Sequence, residues 1–242
     1  MHQKILPKNK NPFFETVERW SSLKRRIVEI CEKSNRDPHD VKLVAVSKTH
    51  PAEALSSLYD CGQMDFGENY VNEWIEKQSL VSLQNISWHF LGKIQSNKIK
   101  KIAERASCIH ALEKQEHAKI LNNHLTTVGR KIDVFISINL GSEEQKTGVS
   151  FLDAELLAKF IEEHCPQINL LGLMAIPPAE FNDENFPDHP PKLYSELKER
   201  SLFIGKGKLS LGMSNDLRIA ITAGSTHIRI GTAIFGERKK EA

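Results

Sequence analysis

The stretch VKLVAVSKTHPAEALSSLYDCG, residues 41–62, holds a strand pattern, a junction and a helix pattern in the order that the rest of the chain repeats. Residues 41–46 form a short apolar run rich in valine, which predicts a buried strand. Pro51 suits the first turn of a helix, and the helix that it opens is predicted to end near Cys61. A strand followed directly by a helix is the unit of a parallel sheet, because helices return the chain across the sheet.

The same alternation continues on both sides of this stretch. Before it, residues 13–34 predict an amphipathic helix, because apolar residues recur at three- and four-residue steps. After it, further strands are predicted at residues 64–66, 86–91, 108–111, 132–139, 168–174, 209–211 and 227–230. Helices are predicted between them at residues 68–78, 94–105, 113–127, 151–164, 190–201 and 214–223. Eight strand–helix units favour an α/β fold of the closed (β/α)₈ TIM-barrel type, and an open doubly wound sheet is the alternative.

Length and composition fit one globular domain. The chain has 242 residues, of which 40% are hydrophobic and 26% charged, and its formal net charge is +2. We expect residues 12–242 to form a single barrel domain and residues 1–11 to be a flexible tail. Residues 176–191 are rich in proline, aspartate and asparagine, and they predict a long surface loop rather than a linker between domains.

Several functional classes are not expected from this sequence. The net charge of +2 names no polyanionic partner, so we expect no binding to nucleic acid. No run approaches the roughly 18–20 apolar residues of a membrane span, and the N-terminus lacks the apolar core of a secretory signal. We therefore expect a cytoplasmic protein without a membrane partner. The four cysteines form no CxxC pair, so neither disulfides nor a metal site are expected.

Lys48 stands at the junction after the first predicted strand. In a barrel of parallel strands, reactive groups lie at the carboxyl ends of the strands, in the loops that enter the helices. Strand alternation places Lys48 on the same face as Val44 and Val46, so its amine is predicted to point into the mouth of the barrel. An amine beside apolar walls is a nucleophile toward an aldehyde. A solvated lysine at the end of a strand is the alternative.

Two glycine-containing junctions near the end of the chain predict an anion site. LSLGMSND at residues 209–216 and IRIGTAIFG at residues 228–236 each join a strand to a helix and include a hydroxyl, Ser214 or Thr232. Backbone N–H groups at such junctions bind phosphate, and barrels often do so after strands seven and eight. The alternative is that both hydroxyls only cap helices.

Arg229 lies inside the last predicted strand, two residues before Gly231. Its permanent charge requires a partner there, because a buried unpaired charge is costly. A buried carboxylate and an acceptor on a ligand are the two alternatives.

Six motifs occur in order along the chain and closely resemble those of the pyridoxal phosphate homeostasis proteins. They are VAVSKTH at 44–50, FGENYVNE at 66–73, WHFLGKIQSNK at 88–98, GLM at 172–174, LSLGMSND at 209–216 and STHIRIGTAIFGER at 225–238. The resemblance spans about residues 13–238. It implies a single-domain barrel of the alanine racemase N-terminal-domain type that binds pyridoxal 5′-phosphate (PLP).

The resemblance also implies a set of cofactor-binding residues. It implies that PLP is held as a Schiff base on Lys48 and that its phosphate is bound by Ser214, Gly231 and Thr232. It places Arg229 against the pyridine nitrogen and Asn69 near the ring. The implied function is intracellular PLP (vitamin B6) homeostasis, with apo-enzymes that use PLP as partners, a monomeric chain and no established catalytic residue.

The predicted contact at the ring nitrogen favours a carrier over an enzyme. Arginine keeps its proton and has no acceptor, so an arginine bonded to the ring nitrogen leaves that nitrogen unprotonated. An unprotonated ring is a poor electron sink for chemistry on a bound amino acid. Alanine racemases also have an arginine, but they add a tyrosine from another subunit as a second base. They also have a further β-domain, for which we expect no room before Ala242.

The tyrosines bear on the enzymatic alternative. Of Tyr59, Tyr70 and Tyr194, only Tyr70 lies near a motif, and its place in the helical pattern predicts that it packs against the barrel. A monomeric PLP-dependent amino-acid racemase or related PLP enzyme is the alternative function. A barrel that binds a sugar phosphate without PLP is a third.

Overall fold

The apolar runs predicted as strands form eight parallel strands that close into a barrel. The computed structural model describes residues 12–81, 83–140 and 148–237, and the predicted tail at residues 1–11 lies outside the described residues. The strands are β1 (Lys42–Val46), β2 (Asp65–Glu68), β3 (Ser87–Phe90), β4 (Cys108–Leu112), β5 (Ile132–Ile138), β6 (Ile168–Ala175), β7 (Lys208–Ser210) and β8 (His227–Ile230). They pair in chain order, and β8 pairs with β1. The predicted closed barrel is therefore confirmed, and the open sheet is wrong.

Helices follow the strands and surround the barrel. They are α1 (Phe14–Lys33), α2 (Ala52–Tyr59), α3 (Val71–Leu80), α4 (Ile99–Arg105), α5 (Gln115–Val128), α6 (Phe151–His164), α7 (Lys192–Ser201), α8 (Leu217–Thr222) and α9 (Thr232–Phe235). Within the described ranges, no helix is long and apolar enough to cross a membrane.

Three predicted helix starts are wrong, among them that of the helix predicted at residues 214–223, which begins at Leu217. Pairing in the sheet explains the first of the three. The helix predicted at residues 68–78 begins at Val71, because Glu68 still pairs with Phe90 on β3. The helix predicted at residues 94–105 begins with a tight 3₁₀ turn and becomes α-helical only at α4.

An apolar core lies between the barrel and its helices. Alternate residues of each strand face it, such as Leu43 and Ala45 on β1 and Ile228 and Ile230 on β8. Side chains that alternate along a strand point to opposite faces, so the residues between them face the barrel interior. The two faces of each strand therefore meet different surroundings.

The barrel interior is unusually polar. Bulky branched residues usually fill the interior of such barrels. Here a small apolar cluster around Phe135 and Met174 shares the space with buried polar groups. These polar residues are His89, His110, Ser210, His227 and Arg229. Each of them needs a hydrogen-bond partner inside the barrel, because an unpartnered buried polar group is destabilising.

The long loop at residues 176–191 packs onto the rest of the barrel through Asp183. The Asp183 carboxylate accepts hydrogen bonds from the backbone N–H groups of Arg218 and Ile219, both at 3.1 Å, at the start of α8. It also forms an ion pair with Arg26 on α1 at 3.1 Å. The loop thus connects the first helix to the segment that follows β7.

Candidate functional site

A cavity of about 390 Å³ lies at the carboxyl ends of the strands. All six residues predicted to bind the cofactor line it: Lys48, Asn69, Ser214, Arg229, Gly231 and Thr232. Part of its wall is apolar, with Val46, Leu91, Met174 and Met213 among the lining residues. An apolar enclosure with a few convergent polar groups is typical of a small-molecule site.

Lys48 reaches the cavity from the junction after β1. The side chain is half-buried, and Val46 lines the same cavity, as strand alternation predicted. The next residue, Thr49, has a φ of 66°, which is unusual for a β-branched residue. Its backbone N–H donates to Glu73 Oε1 at 2.5 Å, which holds the turn in place.

A buried charged cluster lies behind this turn, and we call Ser47, Glu68, Glu73 and Lys77 the Lys77 cluster. Lys77 Nζ donates to Glu68 Oε1 at 2.6 Å, to Glu73 Oε1 at 2.7 Å and to the Ser47 carbonyl at 2.6 Å. The Ser47 hydroxyl also donates to Glu68 Oε1, at 2.6 Å. The residues on both sides of Lys48 are thus tied to Lys77, because Ser47 belongs to the Lys77 cluster and Thr49 bonds to its member Glu73.

Glu68 is the most costly member of this cluster to bury. Its side chain is fully buried, and its second oxygen, Oε2, has no hydrogen-bond partner among the described residues. Burial raises the pKa of Glu68 above its usual value, although Lys77 and Ser47 oppose the rise. The charge of Lys77 therefore offsets much of the free-energy cost of burying the Glu68 carboxylate.

The two glycine-containing junctions meet in the cavity. Ser214 Oγ accepts a hydrogen bond from the backbone N–H of Ala233 at 3.3 Å, so it caps α9 across the cavity edge instead of its own helix. Asp216 holds the first junction by accepting from the Met213 N–H at 2.6 Å. Gly231 lies close to β1, where an added Cβ would be 3.3 Å from the carbonyl oxygen of Val46. The serine and threonine hydroxyls are thus brought to one end of the cavity.

Arg229 is held by neutral protein groups and not by the buried carboxylate that was one alternative for it. Its Nη1 donates to Ser210 Oγ at 2.6 Å and its Nη2 donates to the carbonyl of Ala175 at 2.9 Å. In the part of the chain that the structure describes, no carboxylate lies within ion-pair distance of it. Burial lowers the pKa of Arg229 to about 10, with Asp216 and Tyr194 opposing the change, so the guanidinium is charged at neutral pH.

Asn69 follows β2 and lines the cavity beside Leu91. The neighbouring Gly92 allows this close packing, because a Cβ there would lie 2.0 Å from the carbonyl oxygen of Asn69. Gly92 belongs to the WHFLGKIQSNK motif, and its lack of a side chain positions the Asn69 backbone.

The prediction that Tyr70 packs against the barrel is wrong. Tyr70 precedes α3 in an extended conformation, and 56% of its surface is exposed. The buried tyrosine is Tyr194, whose hydroxyl donates to Asp216 Oδ2 at 2.7 Å, next to the junction that follows β7. Tyr59, Tyr70 and Tyr194 are all described, and none of them lines the cavity.

Two histidines at the cavity were missed by sequence reasoning. His50 belongs to the VAVSKTH motif and stacks on Phe235 with ring centroids 4.9 Å apart. His110 lies on β4 and contributes to the cavity from the barrel interior. A polar residue at an inward position of an otherwise apolar strand was the available signal for His110.

Comparison with known proteins identifies the family. The family model described as alanine racemase, N-terminal domain, matches residues 20–239. The pyridoxal phosphate homeostasis protein of Haemophilus influenzae is 41% identical over 221 residues, which cover 89% of this chain and 93% of that protein.

Solved structures agree with this relationship. The structure of PipY from Synechococcus elongatus with PLP bound has a TM-score of 0.77 at 31% identity, and the match covers 91% of this chain and 100% of that one. Alanine racemase from Corynebacterium glutamicum shares the fold, with a TM-score of 0.63 at 14% identity over 93% of this chain and 63% of that one. The chain therefore belongs to the alanine racemase N-terminal domain family and, within it, to the pyridoxal phosphate homeostasis proteins.

Proposed function

We propose that this protein binds PLP in the cavity and serves PLP homeostasis, holding the cofactor instead of using it for catalytic turnover. The observation that carries the proposal is that a lysine amine, two hydroxyl-bearing junctions and a buried arginine line one cavity. The relatives named for PLP homeostasis and the PLP-bound structure of PipY support it.

The residues of the cavity fit the chemical groups of PLP. An aldehyde requires an amine, which Lys48 provides, and a phosphate requires hydroxyl and N–H donors, which the junctions at Ser214 and Thr232 provide. A ring nitrogen with a lone pair requires a donor, which Arg229 provides. The cavity volume of about 390 Å³ falls in the usual range for small ligands, about 300–1,000 Å³.

Lys48 supplies the covalent link in this proposal. When bound, PLP presents an aldehyde that condenses reversibly with an amine. Lys48 Nζ would be the amine that holds the cofactor covalently through its aldehyde carbon, and the aldehyde oxygen would be lost as water with two hydrogens from the amine. The resulting Schiff base keeps the reactive aldehyde from other amines of the cell.

The contacts of Arg229 and the positions of the tyrosines favour a protein that holds PLP over one that uses it as a catalytic cofactor. Arg229 donates to Ser210 and to a backbone carbonyl, and it has no acceptor that could take up a proton. None of Tyr59, Tyr70 and Tyr194 lines the cavity, so no tyrosine of the same chain is placed there as a second base. Delivery of PLP to apo-enzymes, a monomeric state and a cytoplasmic location belong to the proposal as expected properties.

The phosphate contacts give a direct test of this assignment. Thr232→Ala and Ser214→Ala each remove one hydrogen bond to a charged group, worth roughly 1.5–3 kcal/mol, so PLP affinity is expected to fall about ten- to hundredfold. Pyridoxal, which has no phosphate, is expected to lose little affinity. Titrations of both ligands against each variant measure the difference.

Thr127→Ala is the matched control, because Thr127 is an exposed threonine on α5 that bonds only within its own helix. It should leave both affinities unchanged. If Thr232→Ala and Ser214→Ala weakened pyridoxal and PLP equally, these hydroxyls would not face the phosphate and the orientation proposed here would be wrong.

A further inference from the structure

Five buried or half-buried side chains form a continuous hydrogen-bonded chain through the barrel, which we call the interior chain. Arg229 Nη1 is 2.6 Å from Ser210 Oγ, and Ser210 Oγ is 2.8 Å from His110 Nδ1. His110 Nε2 is 2.9 Å from His89 Nδ1, and His89 Nε2 is 2.9 Å from Asp65 Oδ1. The interior chain thus joins the cavity to the amino-terminal end of β2.

The direction of every hydrogen bond follows from Arg229 at one end. A guanidinium only donates, so Ser210 Oγ must accept from it. In the described structure, Ser210 Oγ has one other partner, His110 Nδ1, and its single hydrogen is donated there. His110 Nδ1 is then an acceptor, and a neutral His110 carries its proton on Nε2.

The opposite end of the interior chain is consistent with this direction. Burial raises the pKa of Asp65, but the hydrogen bond from His89 and the amine of Lys42, which is 2.9 Å from Asp65 Oδ1, contribute to a net lowering. Asp65 is therefore a carboxylate, which only accepts, so His89 Nε2 donates to it. The direction set by Arg229 makes His110 Nε2 the donor to His89 Nδ1, so the proton of His89 lies on Nε2, where it meets this carboxylate.

We propose that Asp65, His89, His110 and Ser210 are positioning residues that hold the Arg229 guanidinium toward the cavity. Through them, Asp65 at the far end of the barrel influences the affinity of the site for PLP. This inference rests on the proposed function in one respect, because PLP affinity is its functional readout.

The surroundings favour a neutral imidazole at His110 and at His227. Burial, reinforced by the neighbouring His89, His227 and Arg229, lowers the pKa of His110 well below its usual value. Burial and the nearby His89 and Lys42 likewise lower the pKa of His227 to about 3. A neutral imidazole has one donor and one acceptor nitrogen, so within the interior chain it can accept a hydrogen bond on one side and donate one on the other.

A metal site is the competing interpretation of the same side chains. The ligand atoms of His89, Cys108 and His110 all lie within 4.8 Å of one another. His89 Nδ1 and His110 Nε2 bond to each other, however, and a shared metal would require both nitrogens to be unprotonated. The interior chain and a metal at this place therefore exclude each other.

The first test is nitrogen NMR of the histidine side chains in the ligand-free protein at neutral pH. We expect the ring proton of His89 and of His110 to lie on Nε2, with Nδ1 unprotonated in both rings. A proton on Nδ1 of either ring would overturn the assigned direction. Stoichiometric zinc bound to the protein as purified would overturn it as well, and neither result depends on PLP.

The second test is a double-mutant cycle between two residues that do not line the cavity. Ser210→Ala and Asp65→Ala are each expected to weaken PLP binding about three- to tenfold, the range for losing one hydrogen bond. The double variant is expected to bind PLP no more weakly than Ser210→Ala alone, because the loss of Ser210 already interrupts the interior chain. Asp65→Asn retains an acceptor oxygen and should stay within about twofold of the wild type.

Asp133→Ala is the control, because Asp133 is the second residue of β5, at the same end of the barrel, but bonds to Asn169, outside the interior chain. It should leave PLP affinity unchanged. Effects of Ser210→Ala and Asp65→Ala that multiply in the double variant would show independent roles and would contradict the coupling. A wild-type protein that binds no PLP at all would instead contradict the proposed function. The NMR result would still decide the direction of the hydrogen bonds in the interior chain.

Discussion

Replacement of Lys48 by alanine is expected to abolish the near-violet absorption band that a protonated Schiff base gives to the PLP-loaded protein. Without the Lys48 amine, no C=N bond to the aldehyde carbon of PLP can form at this position. Binding then depends on the contacts to the phosphate and the ring. Unfolding in urea should be nearly unchanged, because surface or half-exposed substitutions outside the core usually change stability by less than about 0.5 kcal/mol. Absorption spectra and urea titrations of the two proteins measure both expectations.

Lys93→Ala is the matched control for this experiment, because Lys93 is an exposed lysine in the loop after β3. It should keep the band. A band that persists in Lys48→Ala would show that another amine holds the cofactor. A wild-type protein that forms no band with PLP would favour the sugar-phosphate barrel considered from the sequence.

Removal of Lys77 is expected to destabilise the fold more than any other single change discussed above. Lys77→Met leaves Glu68 fully buried with one oxygen already unpartnered, and breaking a buried ion pair on one side costs about 3–5 kcal/mol. The turn at Lys48 also loses its support through Ser47, so PLP affinity should fall as well. Urea unfolding and PLP titration measure the two effects.

The loss of folding stability in Lys77→Met should depend on pH, in a direction set by Glu68. Burial already raises the pKa of Glu68, and loss of Lys77 removes the main opposing charge. A carboxyl group with a higher pKa in the folded chain contributes less stability as pH rises from its unfolded to its folded pKa. Lys77→Met should therefore be closer to the wild type at pH ~5 than at pH ~8, since folding can then protonate Glu68.

Lys192→Met is the control, because Lys192 is exposed and forms a surface pair with Glu196 at 3.4 Å, with the same four-residue spacing as Glu73 and Lys77. Exposed pairs of this kind contribute little to stability. A deficit in Lys77→Met that matched the control, or that did not change with pH, would mean that Glu68 tolerates burial without its partner.

The barrel was predictable because its strands are short apolar runs separated by helical periodicity. Eight such units are compatible with few folds, and the order and number of strands are confirmed. Helix starts were less accessible, because a residue such as Glu68 suits a helix but is held extended by pairing with β3. Tertiary hydrogen bonds decided those boundaries, and local sequence does not contain them.

The site was predictable in its loops and not in its interior. Lys48, Ser214 and Thr232 follow strands directly, and the carboxyl ends of parallel strands meet at one face of a barrel. The interior chain was missed because its members, such as His89 and Ser210, are isolated polar residues on different strands. Glu73 and Lys77 are four residues apart on one helix, but this spacing usually indicates an exposed pair.

Borohydride reduction of the PLP-loaded protein, followed by peptide mass mapping, tests the central claim most directly. Borohydride converts a Schiff base to a stable amine, so it marks the lysine that held the cofactor at the moment of reduction. We predict one phosphopyridoxyl group per chain, on the peptide that contains Lys48. Modification found only on peptides that contain other lysines would contradict the account.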